Sequence, residues 1–193
     1  MKKIIAILIF IVVLVLIQHY FFKKTCGTER WKVKTLADAD TSRINFYDTI
    51  ITTVTAQGKL KPPHKISKNM QRCDEECFLL QLDCYILKYK KEDDKDYHVV
   101  IKDLYNENTM VTEIPSPLEC DELKKSGHYA DFEKVRDWFE NHIGVPTNRF
   151  KNCEPPVKVR LTGIGFFDFN HGQTGHAPNG REIHPVLKIE CLN

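Results

Sequence analysis

Apolar and polar residues alternate along three consecutive stretches in the middle of the chain. The first lies between residues 76 and 89, where every second position is apolar: Phe78, Leu80, Leu82, Cys84 and Ile86. Residues 97–103 and 109–114 alternate in the same way, and Pro115 ends the third stretch. Because the side chains of a strand point alternately to its two faces, each stretch predicts a half-buried β-strand. The charged segment KKEDDKD (90–96) and residues 104–108 are the predicted turns between them.

Helical spacing replaces this alternation between residues 131 and 143. Four apolar residues fall on one helical face there: Phe132, Val135, Phe139 and Ile143. Gly144 and Pro146 follow, which is typical of a helix end. Residues 157–168 and 185–192 alternate again and predict two further strands.

The predicted element order is therefore β-β-β-α-β-β, a mostly β domain with one main helix. This is the element order of the OB-fold, a five-stranded and partly open barrel, which is the fold we expect. Another small α+β sheet or barrel is the alternative. Residues 47–58 favour a short additional helix, although the β-branched residues between Ile50 and Val54 weaken that prediction.

An apolar segment at the N-terminus sets it apart from the rest of the chain. Fourteen apolar residues, Ile4 to Ile17, follow a basic start, and the stretch 4–22 is about long enough to span a bilayer. We interpret residues 1–24 as a signal anchor that holds the exported chain to the membrane. A cleaved signal peptide is the alternative. Residues 25–72 are predicted to be an irregular extension and linker, and residues 73–193 the β-rich domain.

The charge balance gives no support for sequence-blind binding of nucleic acid. The net charge is +2, but four lysines lie in or beside the leader: Lys2, Lys3, Lys23 and Lys24. Without them the chain carries 24 basic and 26 acidic residues, so the predicted domain is slightly negative. Binding to the phosphate backbone depends on an excess of Lys and Arg.

Seven cysteines in a chain that is predicted to be exported indicate at least one disulfide. We predict a bond between Cys120 and Cys153, because both lie in loops that flank the predicted helix. Cys73 and Cys77 form a second short link, or each has another partner. Their spacing lacks the matching second pair of a zinc motif.

One loop concentrates residues that are able to bind ligands. Residues 163–185 read GIGFFDFNHGQTGHAPNGREIHP, with five glycines, three histidines, two carboxylates and several amides. In an OB-fold this loop and the turn at 92–96 frame the binding face. The candidate ligand-binding residues are Asp96, His98, Asp168, His171, Gln173, Asn179, Glu182 and His184. A divalent metal at Asp96, His98, His171 and His184 is a further hypothesis, and the alternative is that these polar groups satisfy the backbone of a long loop.

Four segments resemble an uncharacterised family of secreted bacterial proteins. They are ERWKVKTLADAD (29–40), YKKEDDKDYHVVIKD (89–103), MVTEIPSP (110–117) and TGIGFFDFNHGQTGHAPNGREIHPVLKI (162–189). The resemblance implies a bacterial, exported protein and a single unit from about 29 to 189, and it implies no activity. His176 stands where the family usually has an apolar residue, and Ile183 where it has Leu. This moves the ligand prediction toward His98, His171 and His184, with Asp96 and Glu182.

Three functions are consistent with these features. The first is a membrane-anchored binding module of the bacterial cell envelope for a polar ligand, such as a saccharide or an oligonucleotide. The second is a metal-dependent hydrolase, acting on phosphodiesters through His98, His171, His184 and Asp96. The third is a structural interaction domain of the envelope. No catalytic residue and no firm cofactor is predicted, and the first function is the one we favour.

Overall fold

Six strands form one sheet in the computed structural model. The structure describes residues 26–27, 29–169 and 172–192, except for the side chains of residues 121 and 122. The strands are β1 (Thr49–Thr52), β2 (Leu79–Lys91), β3 (Tyr97–Asp103), β4 (Thr109–Ile114), β5 (Lys151–Phe167) and β6 (Arg181–Cys191). The predicted leader, residues 1–24, lies outside the described residues. Among the residues described, no helix is long and apolar enough to cross a membrane.

Five of the strands close into a ring. The strand order is β1-β2-β3-β4-β6-β5, and β2 also pairs with β5. The pairs β1–β2 and β4–β6 are parallel, and the other pairs are antiparallel. The predicted mostly β domain is confirmed at this level, and β3 and β4 have the predicted bounds.

The one long helix lies between the third and fourth strands of the ring, as predicted. Besides α1 (Trp31–Lys34) and α2 (Val54–Gln57), each of one turn, the described residues form α3 (Tyr129–His142) and three short 3-10 segments. The predicted helix over 47–58 is wrong for its first half, where β1 pairs with β2. The β-branched residues of this stretch fit a pleated strand better than a helix.

The apolar core fills the interior of the ring. Apolar residues of all five ring strands and of α3 contribute to it, and Phe139 of α3 packs edge-on against Tyr89 at 5.2 Å between ring centroids. Tyr97 and Val99 of β3 belong to this core. His98 between them therefore points to the outer face of the sheet.

The segment before β2 covers part of that outer face. Arg30 donates two hydrogen bonds to the Glu76 carboxylate, at 2.8 and 2.5 Å, and a third to the backbone oxygen of Phe167. Both side chains of this ion pair are fully buried. Arg72 pairs in the same way with Asp38 at 2.8 Å. These contacts hold residues 30–76 against the end of β5.

The predicted disulfide between Cys120 and Cys153 is wrong. Cys120 is bonded to Cys26, with 5.8 Å between their Cα atoms, and Cys153 is a free and half-buried thiol. Cys120 lies in a small cluster with Trp31 beneath the N-terminal segment, whereas Cys153 packs against the core of the ring. The two therefore face different clusters, although they flank the same helix. Cys73 and Cys77 are also free.

Candidate functional site

Carboxylates and imidazoles alternate in a row on the outer face of the sheet. In order, the row consists of Asp96, His184, Glu113, His98 and Glu92. His184 Nε2 lies 3.5 Å from Asp96 Oδ2, and His184 Nδ1 lies 3.1 Å from Glu113 Oε2. Beyond Glu113, His98 Nδ1 lies 3.4 Å from Glu113 Oε1 and 3.3 Å from Glu92 Oε1. Glu92 is half-buried and the other four are buried, so this His–carboxylate row runs from the interior toward the surface.

Strand register places these side chains beside one another. His98 on β3 stands opposite Glu113 on β4 in their antiparallel pairing. β6 runs parallel to β4, and Glu182 is paired there with Val111. His184 lies two residues beyond Glu182 and Glu113 two residues beyond Val111, so both reach the same level on the same face.

A cavity of about 330 Å³ opens over the outer end of the row. Six of the ten described residues that line it are acidic: Glu29, Glu92, Asp93, Asp94, Glu113 and Asp168. Lys34 is the one basic residue among the ten. The loops after β2 and β5 form two walls, and the segment that begins at Cys26 forms another. The cavity is therefore strongly negative and reaches the buried row through Glu113.

Lys34 compensates only part of this charge. Its Nζ lies 3.2 Å from Asp168 Oδ2, and both side chains are about nine-tenths buried. Burial alone would lower the pKa of Lys34, but Glu113, Asp168 and Glu182 outweigh it and raise that pKa. The lysine therefore stays charged and pairs with Asp168, while Lys90 pairs with Glu92 and Lys68 with Glu29.

Several buried polar atoms in this region have no hydrogen-bond partner among the described residues. They are Asp96 Oδ2, His98 Nε2, Glu182 Oε2 and both ring nitrogens of His184. The nitrogens of His184 lie close to carboxylate oxygens, but the directions do not meet hydrogen-bond geometry. Because buried polar groups are nearly always paired, their concentration at one place indicates a position for a ligand.

Burial and close neighbours shift the pKa values of the site in opposite directions. Burial alone would raise the pKa of Glu113, but the imidazole of His184 holds it well below its usual range. Burial alone would lower the pKa of His184, but Asp96 and Glu113 raise it to about 9. Burial, with the charge of Glu113, raises the pKa of Glu182 well above its usual range. Burial also raises the pKa of Asp94 to about 6. Protons therefore offset part of the negative charge in the cation-free chain.

Two sets of three side chains have the spacing of metal ligands. One set is Asp96, Glu113 and His184, and the other is Glu92, His98 and Glu113. Within each set, one ligand atom from each residue lies within 4.8 Å of the others. Ligands at about 2.1 Å from a tetrahedral ion are about 3.4 Å apart. In the second set His98 Nδ1 lies 3.4 Å from Glu113 Oε1 and 3.3 Å from Glu92 Oε1, which is the spacing around one divalent ion that accepts both imidazole and carboxylate. In the first set Asp96 and Glu113 face opposite ring nitrogens of His184, at 3.5 and 3.1 Å, and an ion takes one of these nitrogens.

The structure brings most of the predicted ligand-binding residues together. Asp96, His98 and His184 belong to the row, and Glu182 is close enough to Glu113 for their charges to interact. Asp168 and Gln173 line the cavity. Of the predicted metal ligands, His171 lies outside the described residues. Asp96 and His184 belong to the same ligand set, together with Glu113, whereas His98 belongs to the set with Glu92 and Glu113.

Asn179 lies apart from these residues. Its side-chain amide donates to the backbone oxygens of Gln57 and Leu60, both at 2.9 Å. Its Oδ1 accepts from the backbone N–H of Arg181 at 3.0 Å. These bonds tie the loop before β6 to the end of α2, which is a structural role.

Glu113 is a candidate ligand that could not be named from the sequence pattern alone, and Glu92 was predicted only as part of the turn at 92–96. Glu113 lies at the centre of the row and belongs to both ligand sets. A signal was available, because it is an acidic residue within a predicted strand, and a hairpin that turns at 104–108 sets residue 113 opposite His98. Lys34 was also missed, and its contact with Asp168 spans 134 residues that no local pattern connects.

Comparisons with protein-family models, with curated proteins and with solved structures find no match to this chain.

Proposed function

We propose that this chain is an exported binding domain that takes up a divalent cation in the buried row beneath its acidic cavity. The observation that carries the proposal is the fully buried set Asp96, Glu113 and His184, with ligand spacing and with ring nitrogens that have no hydrogen-bond partner among the described residues. A divalent cation offsets the carboxylate charge that Lys34 leaves. Three protein ligands also leave coordination positions for a polar ligand in the cavity.

The element order and the ring support an OB-fold for this domain. The helix lies between the third and fourth ring strands, and the first ring strand, β2, pairs with the fourth, β5. The loops after β2 and β5 both line the cavity, and these are the two loops that carry ligands in that fold.

The disulfide supports an exported location. Cys26 and Cys120 are bonded, and such bonds persist in oxidising compartments. The apolar run at 4–17 provides the means of export, as a signal anchor or a cleaved signal. Because the cavity is negative, an oligonucleotide is the less favourable of the two ligands expected from the sequence, and a neutral saccharide that coordinates the cation is the better one.

Titration calorimetry with Mn²⁺ tests the proposal on the full chain, purified in detergent and freed of metal by a chelator. Mn²⁺ suits this test because it prefers oxygen and nitrogen ligands, so free thiols such as Cys73 and Cys77 compete little for it. Loss of a group that only supports a metal ligand costs about 10–100-fold in metal affinity, so removal of a ligand by Asp96→Asn is expected to weaken binding by at least about tenfold. Asp48→Asn, at an exposed position, is the matched control and leaves the affinity unchanged. No binding by the wild type, or equal binding by Asp96→Asn, contradicts the proposal.

Metal-dependent hydrolysis is the second candidate function. The observation that favours it is that both ligand sets leave coordination positions for water and substrate, and that one set lies at the cavity. A divalent ion held there by Glu92, His98 and Glu113 would lower the pKa of a bound water and so supply a nucleophile. The protein's part is to hold the ion through Glu113 and to exclude bulk water from the buried end of the row.

Hydrolysis of bis(p-nitrophenyl) phosphate in the presence of Mn²⁺ tests this second function. The wild-type chain is expected to release nitrophenol, and His98→Gln is expected to lose that release while it still binds Mn²⁺ at the buried set. If the wild type binds the cation but shows no release above the metal alone, the chain is a binding domain and the enzyme hypothesis is removed.

A further inference from the structure

We propose that Glu113 bridges two divalent cations, the second of which is held by Glu92, His98 and Glu113 at the mouth of the cavity. This inference rests on the proposed function, since it adds a second ion to the one at Asp96, Glu113 and His184. Both ions are of the class that accepts mixed nitrogen and oxygen ligands.

The position of Glu113 carries the inference. Its Oε2 lies 3.1 Å from His184 Nδ1, and its Oε1 lies 3.4 Å from His98 Nδ1. Each oxygen therefore faces a different imidazole, and each imidazole has a second carboxylate beside it, Asp96 in one set and Glu92 in the other. One carboxylate that serves two such sets is the arrangement of a bridging ligand in a two-metal site.

Burial indicates that these side chains point toward a shared ligand and not toward solvent. The side chains of His98 and His184 are 1% and 0% exposed, and that of Glu113 is 5% exposed. His98 Nδ1 faces both Glu113 and Glu92, and both nitrogens of His184 have no hydrogen-bond partner among the described residues. Desolvated imidazoles and carboxylates without full pairing are costly unless a cation compensates them.

The two positions differ in affinity. Asp96 is fully buried, whereas the side chain of Glu92 is 28% exposed and its Oε1 also forms an ion pair with Lys90 Nζ at 3.0 Å. A cation at the mouth must displace that lysine, so the second ion binds more weakly than the first. The mouth position also faces the cavity, where an oxygen-donor ligand completes its coordination.

The test is the number of Mn²⁺ ions bound by the full chain in detergent, measured by equilibrium dialysis, with electron paramagnetic resonance on the same samples. Wild type is expected to bind two ions in two steps, with a spectrum of two exchange-coupled ions. Glu92→Gln is expected to keep one ion and to show the six-line spectrum of isolated Mn²⁺. Glu113→Gln is expected to lose both ions, and Glu107→Gln, at an exposed carboxylate, to keep both.

The outcomes separate this inference from the proposed function. If wild type binds one ion, and Asp96→Asn but not Glu92→Gln removes it, the proposed function stands and the bridged pair is overturned. Two ions without exchange coupling, or two ions in Glu92→Gln, also overturn the bridge. If wild type binds no Mn²⁺, both proposals fail. Thermal unfolding of each variant shows whether a loss of ions reflects a loss of the fold.

Discussion

Single buried charges in this protein are held by several partners at once. Glu76 is the clearest case: Arg30 contacts both of its carboxylate oxygens, and the backbone N–H groups of Cys73 and Phe167 donate to it at 3.0 and 2.8 Å. Burial alone would raise the pKa of Glu76, but Arg30 and these donors hold it below its usual value of 4.5. The ionised form is therefore the one that the fold stabilises.

Glu76→Gln is expected to lower the free energy of unfolding at neutral pH by about 3–5 kcal/mol, since it leaves Arg30 buried and unpaired. The wild-type contribution is present above about pH 4.5, the unfolded pKa, and is lost as the pH falls through the lower folded pKa. Urea unfolding between pH 3 and pH 7 therefore shows a variant that approaches the wild type only in acid. Glu75→Gln, at the exposed neighbouring position, is the control, and an equal loss in both variants refutes this account.

Gly165 provides a second test at the residue scale, because the buried Arg181 passes directly over it. A Cβ atom added at Gly165 would lie 1.8 Å from Arg181 Nη2, and Arg181 is held by Gln57 and by the backbone oxygen of Glu75. Gly165→Ala is expected to lower stability by about 1–3 kcal/mol, the usual cost of overpacking. Gly127→Ala has open space around its Cβ and is the matched control. Equal melting temperatures of the two variants would show that the Arg181 side chain moves away from the added methyl group without a loss of stability.

Hydrophobic spacing predicts each strand of the ring, but β5 begins six residues and β6 four residues before its predicted start, so both ends of the predicted loop 163–185 belong to strands. β3 and β4 have their predicted bounds, and α3 starts two residues before its predicted start, because period two and period 3.6 are unambiguous there. β1 was predicted as helix, because only pairing with β2 decides the state of a short β-branched stretch. Part of the candidate site was predicted from the sequence, since the composition of the turn and the loop indicated His98 and His184. The position of Glu113 in the site follows only from the register of β3 and β4.

Arg136 connects α3 to the hairpin that carries the site. Its guanidinium donates to the backbone oxygens of Pro115 at 2.9 Å and Ile114 at 3.2 Å, and also to that of Lys95. Arg136→Met leaves these acceptors unpaired, and each unpaired buried acceptor costs about 1–3 kcal/mol, so a loss of about 3 kcal/mol or more is expected. Chemical unfolding measures it, with Lys134→Met on the exposed side of the same helix as control. A loss of stability below about 1 kcal/mol would mean that water molecules donate the hydrogen bonds that these backbone oxygens receive from Arg136.

At the scale of the whole molecule, the disulfide joins the segment before β2 to the ring that it covers. Cys26 and Cys120 are 94 residues apart in sequence, and Cys26 also lines the acidic cavity. Neither this bond nor the contacts of Lys34 and Arg30 follow from local patterns, because they join residues that only the closed fold brings together. The wrong pairing of Cys120 with Cys153 has the same cause.

Removal of the disulfide by Cys26→Ser with Cys120→Ser is expected to cost about 2–4 kcal/mol of stability, the typical value for a native bond. It also loosens one wall of the cavity, so the affinity for Mn²⁺ falls. Thermal unfolding and calorimetry of the double variant measure both effects. Cys153→Ser, at a free thiol, is the control, and a larger loss in that variant than in the double variant contradicts the assigned pairing.

The central claim is that the buried row holds a divalent cation, and anomalous scattering from a crystal of the protein soaked in Mn²⁺ tests it most directly. The claim predicts an anomalous peak about 2.1–2.2 Å from an oxygen of Asp96, an oxygen of Glu113 and a nitrogen of His184. A crystal with full Mn²⁺ exposure and no anomalous peak within reach of these three residues would contradict it.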